Sequence, residues 1–190
     1  MKRVVVVAGA VCFLFAALSA SFAQEIAADM VTKDGKKAIQ GKLYVKGNKI
    51  RVEQKGDMDY RIFRGDKNAM WNVMPGDKAW MALKVEQKMK PKAQEKMDGE
   101  VSRKQVGTET VDGHPTKKYE VVAKEEGKNV TYYQWLATDL NNFPVKTANA
   151  NGKWSVEYTN IKKGGVADSL FEVPQGYATL AAPDVVGGGH

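Results

Sequence analysis

The chain has 190 residues but only one cysteine, Cys12, and only two histidines, His114 and His190. Cys12 lies inside an apolar run near the N-terminus and not at the end of a lipid-attachment pattern. Beyond residue 23 there is no cysteine at all. That excludes disulfides, thiolate metal sites and a cysteine nucleophile together. His114 sits in a turn beside Pro115, and His190 ends a Gly-Gly-Gly tail, so neither belongs to a His-Glu-x-x-His motif. No Asp-x-Asp-x-Asp-Gly calcium loop and no glycine-rich phosphate loop is present. After residue 23 the serines are Ser102, Ser155 and Ser169, none in a Gly-x-Ser-x-Gly elbow. Carboxylate pairs such as Asp57/Asp59 and Glu125/Glu126 fall at turns, where solvated acids are expected. The sequence therefore predicts no enzyme, no metal and no cofactor.

What is present begins with a leader. Lys2 and Arg3 precede an apolar run from Val4 to Leu18. Ser21-Phe22-Ala23 then supplies small residues at the −3 and −1 positions of a cleavage site. We expect residues 1–23 to be a cleaved signal peptide that sends the chain to the periplasm without a lipid anchor. The run is short for a membrane span. Without the leader the net charge falls from +7 to +5, spread along the chain. Such a balance fits solubility, or attraction to an anionic membrane surface. Nucleic acid is not expected as a partner, because the lysines are mixed with acids and the chain carries a secretion signal.

From Gln24 onward, short alternating segments end in Gly-containing turns, the signature of hairpins. The turns fall at Asp34-Gly35, Gly47-Asn48, Gly56-Asp57 and Gly65-Asp66. Asn68 to Leu83 forms two strand-like arms around Pro75-Gly76-Asp77, where Gly76 is expected to supply a positive φ. Met70 and Met74 point one way and Trp71 and Val73 the other, so both faces of this hairpin are apolar. One face meets core; the other meets more core or an apolar ligand. Lys84 to Glu100 then changes register: Val85, Met89, Ala93 and Met97 are spaced by four, which predicts one or two short helices interrupted at Pro91. The segment is either a charged connector packing two methionines or a mobile lid. Strands resume after Arg103 and continue to a hairpin in which Trp154, Val156 and Tyr158 alternate. Asp168 is expected to cap a single helical turn that docks Leu170, Phe171 and Val173.

The fold class is thus mainly β (α+β): a single curved antiparallel sheet of about ten or eleven strands, with a short helical insertion covering its concave face. A sheet of that length must curl. Strands too short and too charged for a lipid-facing band argue against an outer-membrane barrel. We assign residues 24–177 to one β domain and 178–190 to a flexible C-terminal tail.

Several weak motifs, in order, carry a family resemblance. They are Ile26-Ala-Ala-Asp-Met30, Gly41-Lys-Leu-Tyr-Val-Lys-Gly-Asn-Lys-Ile-Arg-Val52, the Trp/Met hairpin, Tyr133-Gln-Trp-Leu-Ala-Thr-Asp-Leu140, Phe143-Pro-Val-Lys-Thr147 and Leu170-Phe-Glu-Val-Pro-Gln-Gly-Tyr177. The chain resembles the periplasmic LolA/LolB-like lipoprotein-carrier superfamily, above all its uncharacterised secreted relatives. The resemblance implies a half-open barrel in which the helical segment plugs a cavity that accepts acyl chains or another hydrophobic ligand, in a carrier or chaperone role. Candidate cavity residues are Met58, Tyr60, Ile62, Met70, Met74, Trp80, Met81, Met89, Met97 and Trp135. A one-residue slip in strand parity would invert that set. The alternative is a protein-interaction or envelope-stress sensor module of the same fold with no ligand.

Overall fold

The computed structural model describes residues 24–84 and 91–181. The expected leader, residues 85–90 of the expected helical insertion and residues 182–190 lie outside the described residues. One sheet holds twelve strands: β1 (Glu25–Asp34), β2 (Lys37–Lys46), β3 (Lys49–Gln54), β4 (Tyr60–Arg64), β5 (Ala69–Met74), β6 (Ala79–Leu83), β7 (Glu100–Val111), β8 (His114–Glu125), β9 (Lys128–Ala137), β10 (Phe143–Asn149), β11 (Trp154–Lys163) and β12 (Ala178–Leu180). Their order across the sheet is β12-β6-β5-β4-β3-β2-β1-β11-β10-β9-β8-β7, open at both ends. Two antiparallel meanders therefore meet where β1 pairs with β11. The strand absent from the sequence reading is β12. It pairs parallel to β6 and uses three residues that had been assigned to the tail.

Parity explains the two faces. Cross-strand partners share a face, and Ile26, Val45, Ile50, Phe63, Met70 and Leu83 stand side by side across six strands. Ala93 of the 91–99 segment packs into the cluster this row belongs to. We call this the insertion face. The alternate row runs through Ala27, Tyr44, Arg51, Ile62 and Trp71. It belongs to a second cluster, built with Val166, Leu170, Phe171 and Val173 of the C-terminal segment.

Several local expectations are corrected. The residues described from Pro91 to Gly99 form bends and a turn, not a helix. Positive φ in the Pro75–Asp77 turn falls on Lys78 (φ 47) rather than on Gly76, and the preceding Gly65–Lys67 turn ends the same way on Asn68 (φ 46). Each is a 3-10 turn closed by a left-handed residue. Asp168–Phe171 is likewise a 3-10 turn, but Asp168 does not cap it. The carboxylate instead reaches Lys46 (2.9 Å) and Lys49 (3.1 Å) on the sheet. Gly41 is required for a different reason: a Cβ there would fall on the carbonyl oxygen of Glu53.

The C-terminal segment is clamped as well as packed. Arg64, with only 5% of its side chain exposed, donates to Asp66, to Glu172 Oε1 (2.6 Å) and to the Phe171 carbonyl (3.1 Å). The bonds from Arg64 hold the Asp66 carboxyl down to about 2, against its ordinary 3.8. A carboxylate lowered on folding stabilises the native state above its unfolded pKa and loses that contribution as pH falls through the folded value. Asp66→Asn should therefore be less stable than wild type above about pH 4, and the gap should close as pH falls toward 2. Urea titrations across that range check it, and a gap that does not change with pH refutes it.

Candidate functional site

A cavity of about 350 Å³ lies on the insertion face, between the sheet and the start of the 91–99 segment. Its floor comes from strands on both sides of the meander junction. β1 gives Met30 and Thr32, β3 gives Val52 and Gln54, and β4 gives Arg61 and Phe63. Beyond the junction, β11 supplies Trp154, Val156 and Tyr158, and β9 supplies Tyr132. Pro91 and Lys92 wall it from above, with Glu125 at the end of β8. Phe63 and Pro91 also line a smaller hollow of about 180 Å³ toward β5, so they stand between the two spaces.

The polar groups here are mostly committed to one another. Lys92 Nζ lies 2.6 Å from Glu125 Oε1 and 5.0 Å from the centre of the Tyr132 ring. The Tyr132 hydroxyl donates to Glu125 Oε2 at 2.8 Å. Burial works to raise the Glu125 carboxyl, but the bonds from Lys92 and Tyr132 outweigh it and leave the group below its ordinary value. Burial and the Glu125 acceptor together push the Tyr132 phenol well up. This part of the wall thus holds a phenol and a carboxylate bonded to each other, the carboxylate also paired with Lys92. Among the described residues no group of three or more His, Asp or Glu side chains is arranged to hold a metal. His114 has a partner the sequence did not reveal, Asp139 Oδ2 at 2.8 Å, at the far end of β8 from Glu125.

The ten residues singled out from the sequence are not gathered in one place. Tyr60, Ile62 and Trp80 belong to the opposite cluster, under the C-terminal segment. Met58 precedes β4 and is 73% exposed. With Tyr60 it lines a separate hollow that also holds Asp57 and Asp59. Met70 and Met74 are buried on the parity of the insertion face, and Met81 shares it as the partner of Asn72. Met97 packs with Val121, Ala123 and Tyr132. Trp135 stands opposite Lys118 and Lys146, which both lie over its ring, and donates to Glu109. Met89 lies outside the described residues. None of the nine described lines the 350 Å³ cavity. The signal that could have found its wall was the Trp154/Val156/Tyr158 alternation.

A larger hollow, about 560 Å³, lies over β1–β3. It has no aromatic wall and is bordered by Asp29, Lys42, Glu53 and Lys55.

The chain is thus one open curved sheet, crossed on one face by residues 91–99 above the cavity and on the other by the C-terminal segment. By sequence the chain belongs to the family described as a domain of unknown function (DUF4412), whose model matches residues 22–143. No curated protein matches it. Among solved structures it is similar to the Pseudomonas aeruginosa MucA/MucB complex, at 13% identity and a TM-score of 0.53, over 80% of this chain and 56% of that one. It is also similar to a crystal structure of MucB, at 14% identity and a TM-score of 0.51, over 80% and 58%. The chain thus spans little more than half the length of these structures, and at such identities they show a shared fold alone. A LolA superfamily protein from Nitrosomonas europaea is also matched, with 10% identity, a TM-score of 0.40 and 79% and 90% coverage.

Proposed function

We propose that this chain is a binding module of the bacterial cell envelope that takes an acyl chain or similar apolar group into the insertion-face cavity, as a periplasmic carrier or chaperone. The observation that carries the reading is the cavity itself: about 350 Å³, floored by Met30, Val52, Phe63, Trp154 and Val156, and bounded by a segment crossing an open sheet. That volume falls within the range of small-molecule sites, about 300–1,000 Å³. Apolar burial contributes roughly 0.8 kcal/mol per methylene, so even part of a chain is worth several kcal/mol before ordering costs. The leader at residues 1–23 and the LolA- and MucB-type relatives support an envelope setting. Val52→Trp, which fills the cavity from a half-buried position, should weaken uptake of a fluorescent fatty acid at least about tenfold while unfolding stays cooperative. Unchanged uptake by the folded variant would remove the cavity from consideration.

A second reading is favoured by a specific feature of the free edge. β7 is twelve residues long and pairs only with β8. Its two bulges fall at Val101 and Val106, which are 61% and 45% exposed. Bulges discourage indiscriminate pairing of an edge, yet they also present two valines to a protein partner. The matched MucA/MucB complex is a protein–protein assembly. Binding of a protein at β7 would leave Val52→Trp without effect and be lost with Val101→Asp.

A further inference from the structure

The cavity has one charged group with nothing to do. Arg51, Arg64 and Arg103 are each tied to a carboxylate, at 2.7 Å to Glu53, 2.6 Å to Asp66 and 2.9 Å to Glu100. Arg61, the remaining arginine among the described residues, makes no hydrogen bond, ion pair or ring contact with them. It is exposed, yet it lines the cavity wall beside its cross-strand neighbour Val52 and with Phe63 two residues on. Lys92 and Glu125, the other charged groups of the wall, neutralise each other. The described wall therefore carries a net charge of +1, held by Arg61 at its exposed margin, among aromatic and aliphatic side chains and the uncharged polar Thr32 and Gln54. Asp57 and Asp59 border the neighbouring hollow, which Arg61 also lines, but neither is hydrogen-bonded or ion-paired with it, and Asp59 accepts from Asn72 at 3.5 Å.

We infer that the ligand of this site is an anionic amphiphile, its acyl chain in the cavity and a single carboxylate or phosphate head on the Arg61 guanidinium. This rests on the proposed cavity reading and sharpens it. A guanidinium presents a planar fork of donors that matches a carboxylate or phosphate. A few placed polar groups at the margin of an apolar pocket are what fix a ligand's direction. A neutral amphiphile would leave Arg61 idle and gain only from burial of its chain. A cationic one would be repelled.

The experiment uses the chain without its leader and three probes read by tryptophan fluorescence, since Trp154 lines the cavity. The probes are dodecanoate, 1-dodecanol and a dodecanoyl lysophosphatidylglycerol. Dodecanoate is expected to bind about fivefold tighter than the alcohol, the scale of a partly exposed ion pair. Arg61→Gln should bring the two within about twofold and leave alcohol binding unchanged, with an unaltered melting temperature because the side chain is exposed. Stronger binding of the lysophospholipid than of the fatty acid, lost in Arg61→Gln, assigns the head group to a phospholipid source; the reverse order assigns it to a free carboxylate. Equal binding of acid and alcohol by the wild type, or a preference that survives in Arg61→Gln, overturns the inference alone. If none of the three binds, the inference and the cavity reading fall together.

Discussion

Replacing Phe171 by alanine is expected to destabilise the chain by about 3–5 kcal/mol, the range for truncating a fully buried aromatic side chain. Phe171 has no exposed surface and stands in a cluster with Tyr60, Ile62, Val73 and Val166. It is also the point where the C-terminal segment is held, because its carbonyl accepts from Arg64 and the next residue, Glu172, pairs with the same guanidinium. Truncation leaves a cavity under a segment whose route continues to β12, paired with the sheet edge at β6. The melting temperature should fall by roughly 10 °C, at about 2–4 °C per kcal/mol for a chain of this size. Leu180→Ala on exposed β12 serves as the contrast and should cost under about 0.5 kcal/mol. A Phe171→Ala loss as small as that of Leu180→Ala would mean that residues 166–177 are an appendage and that the sheet stands without them.

The same cluster shows where sequence reading stops. Alternation and turn residues located about ten or eleven strands, because period two and Gly-containing turns are local signals. Which face covers which segment is not local. Both parities of β4 and β5 are apolar, with Tyr60, Ile62, Trp71 and Val73 on one side and Phe63, Met70 and Met74 on the other. Only the docking of distant residues distinguishes them: Phe171 on the first, Ala93 on the second. The ten candidate residues mixed the two faces for that reason. β12 was missed because Ala178-Thr-Leu180 has no period to read and pairs with a strand nearly a hundred residues earlier. The insertion misled in the opposite way. Ala93 and Met97 are buried as their spacing suggested, yet the chain around them is not helical. Pro91 lacks the N–H a helix would use. The carbonyls of Gln94 and Glu95 accept instead from the side chains of Gln134 and Arg103. Polar groups of the sheet thus take the place of helical bonds, and no pattern within residues 84–100 encodes that.

Arg103→Met is the variant that decides whether this segment is a fixed plug. Arg103 Nε and Nη2 bind Glu100 at 3.0 and 2.9 Å, and Nη2 also reaches the Glu95 carbonyl at 2.6 Å and Gln134 Oε1 at 2.9 Å. Gln134 has no exposed surface and donates onward to the Gln94 carbonyl at 3.0 Å. One guanidinium therefore ties β7, β9 and residues 94–95 together. The bond from Arg103 keeps the Glu100 carboxyl below its ordinary value against the opposing effect of burial. Methionine keeps the length of the side chain but strands a carboxylate that is only 11% exposed. Breaking a buried pair costs about 3–5 kcal/mol, and the partial exposure of both partners brings the expected loss to about 2–3 kcal/mol at pH 7. Because the Glu100 pKa is lowered on folding, the penalty should shrink as pH falls below about 4.5, where a protonated Glu100 no longer leaves a buried charge. Hydrogen exchange supplies the structural readout: amides of residues 91–99 should lose protection in Arg103→Met, while those of β1–β3 should not. On the proposed reading of the cavity, whose wall includes Pro91 and Lys92, the variant should also admit and release a fluorescent fatty acid faster. A stability loss with unchanged protection at 91–99 would show that Arg103 braces the sheet alone and that the segment is held by Ala93 and Met97.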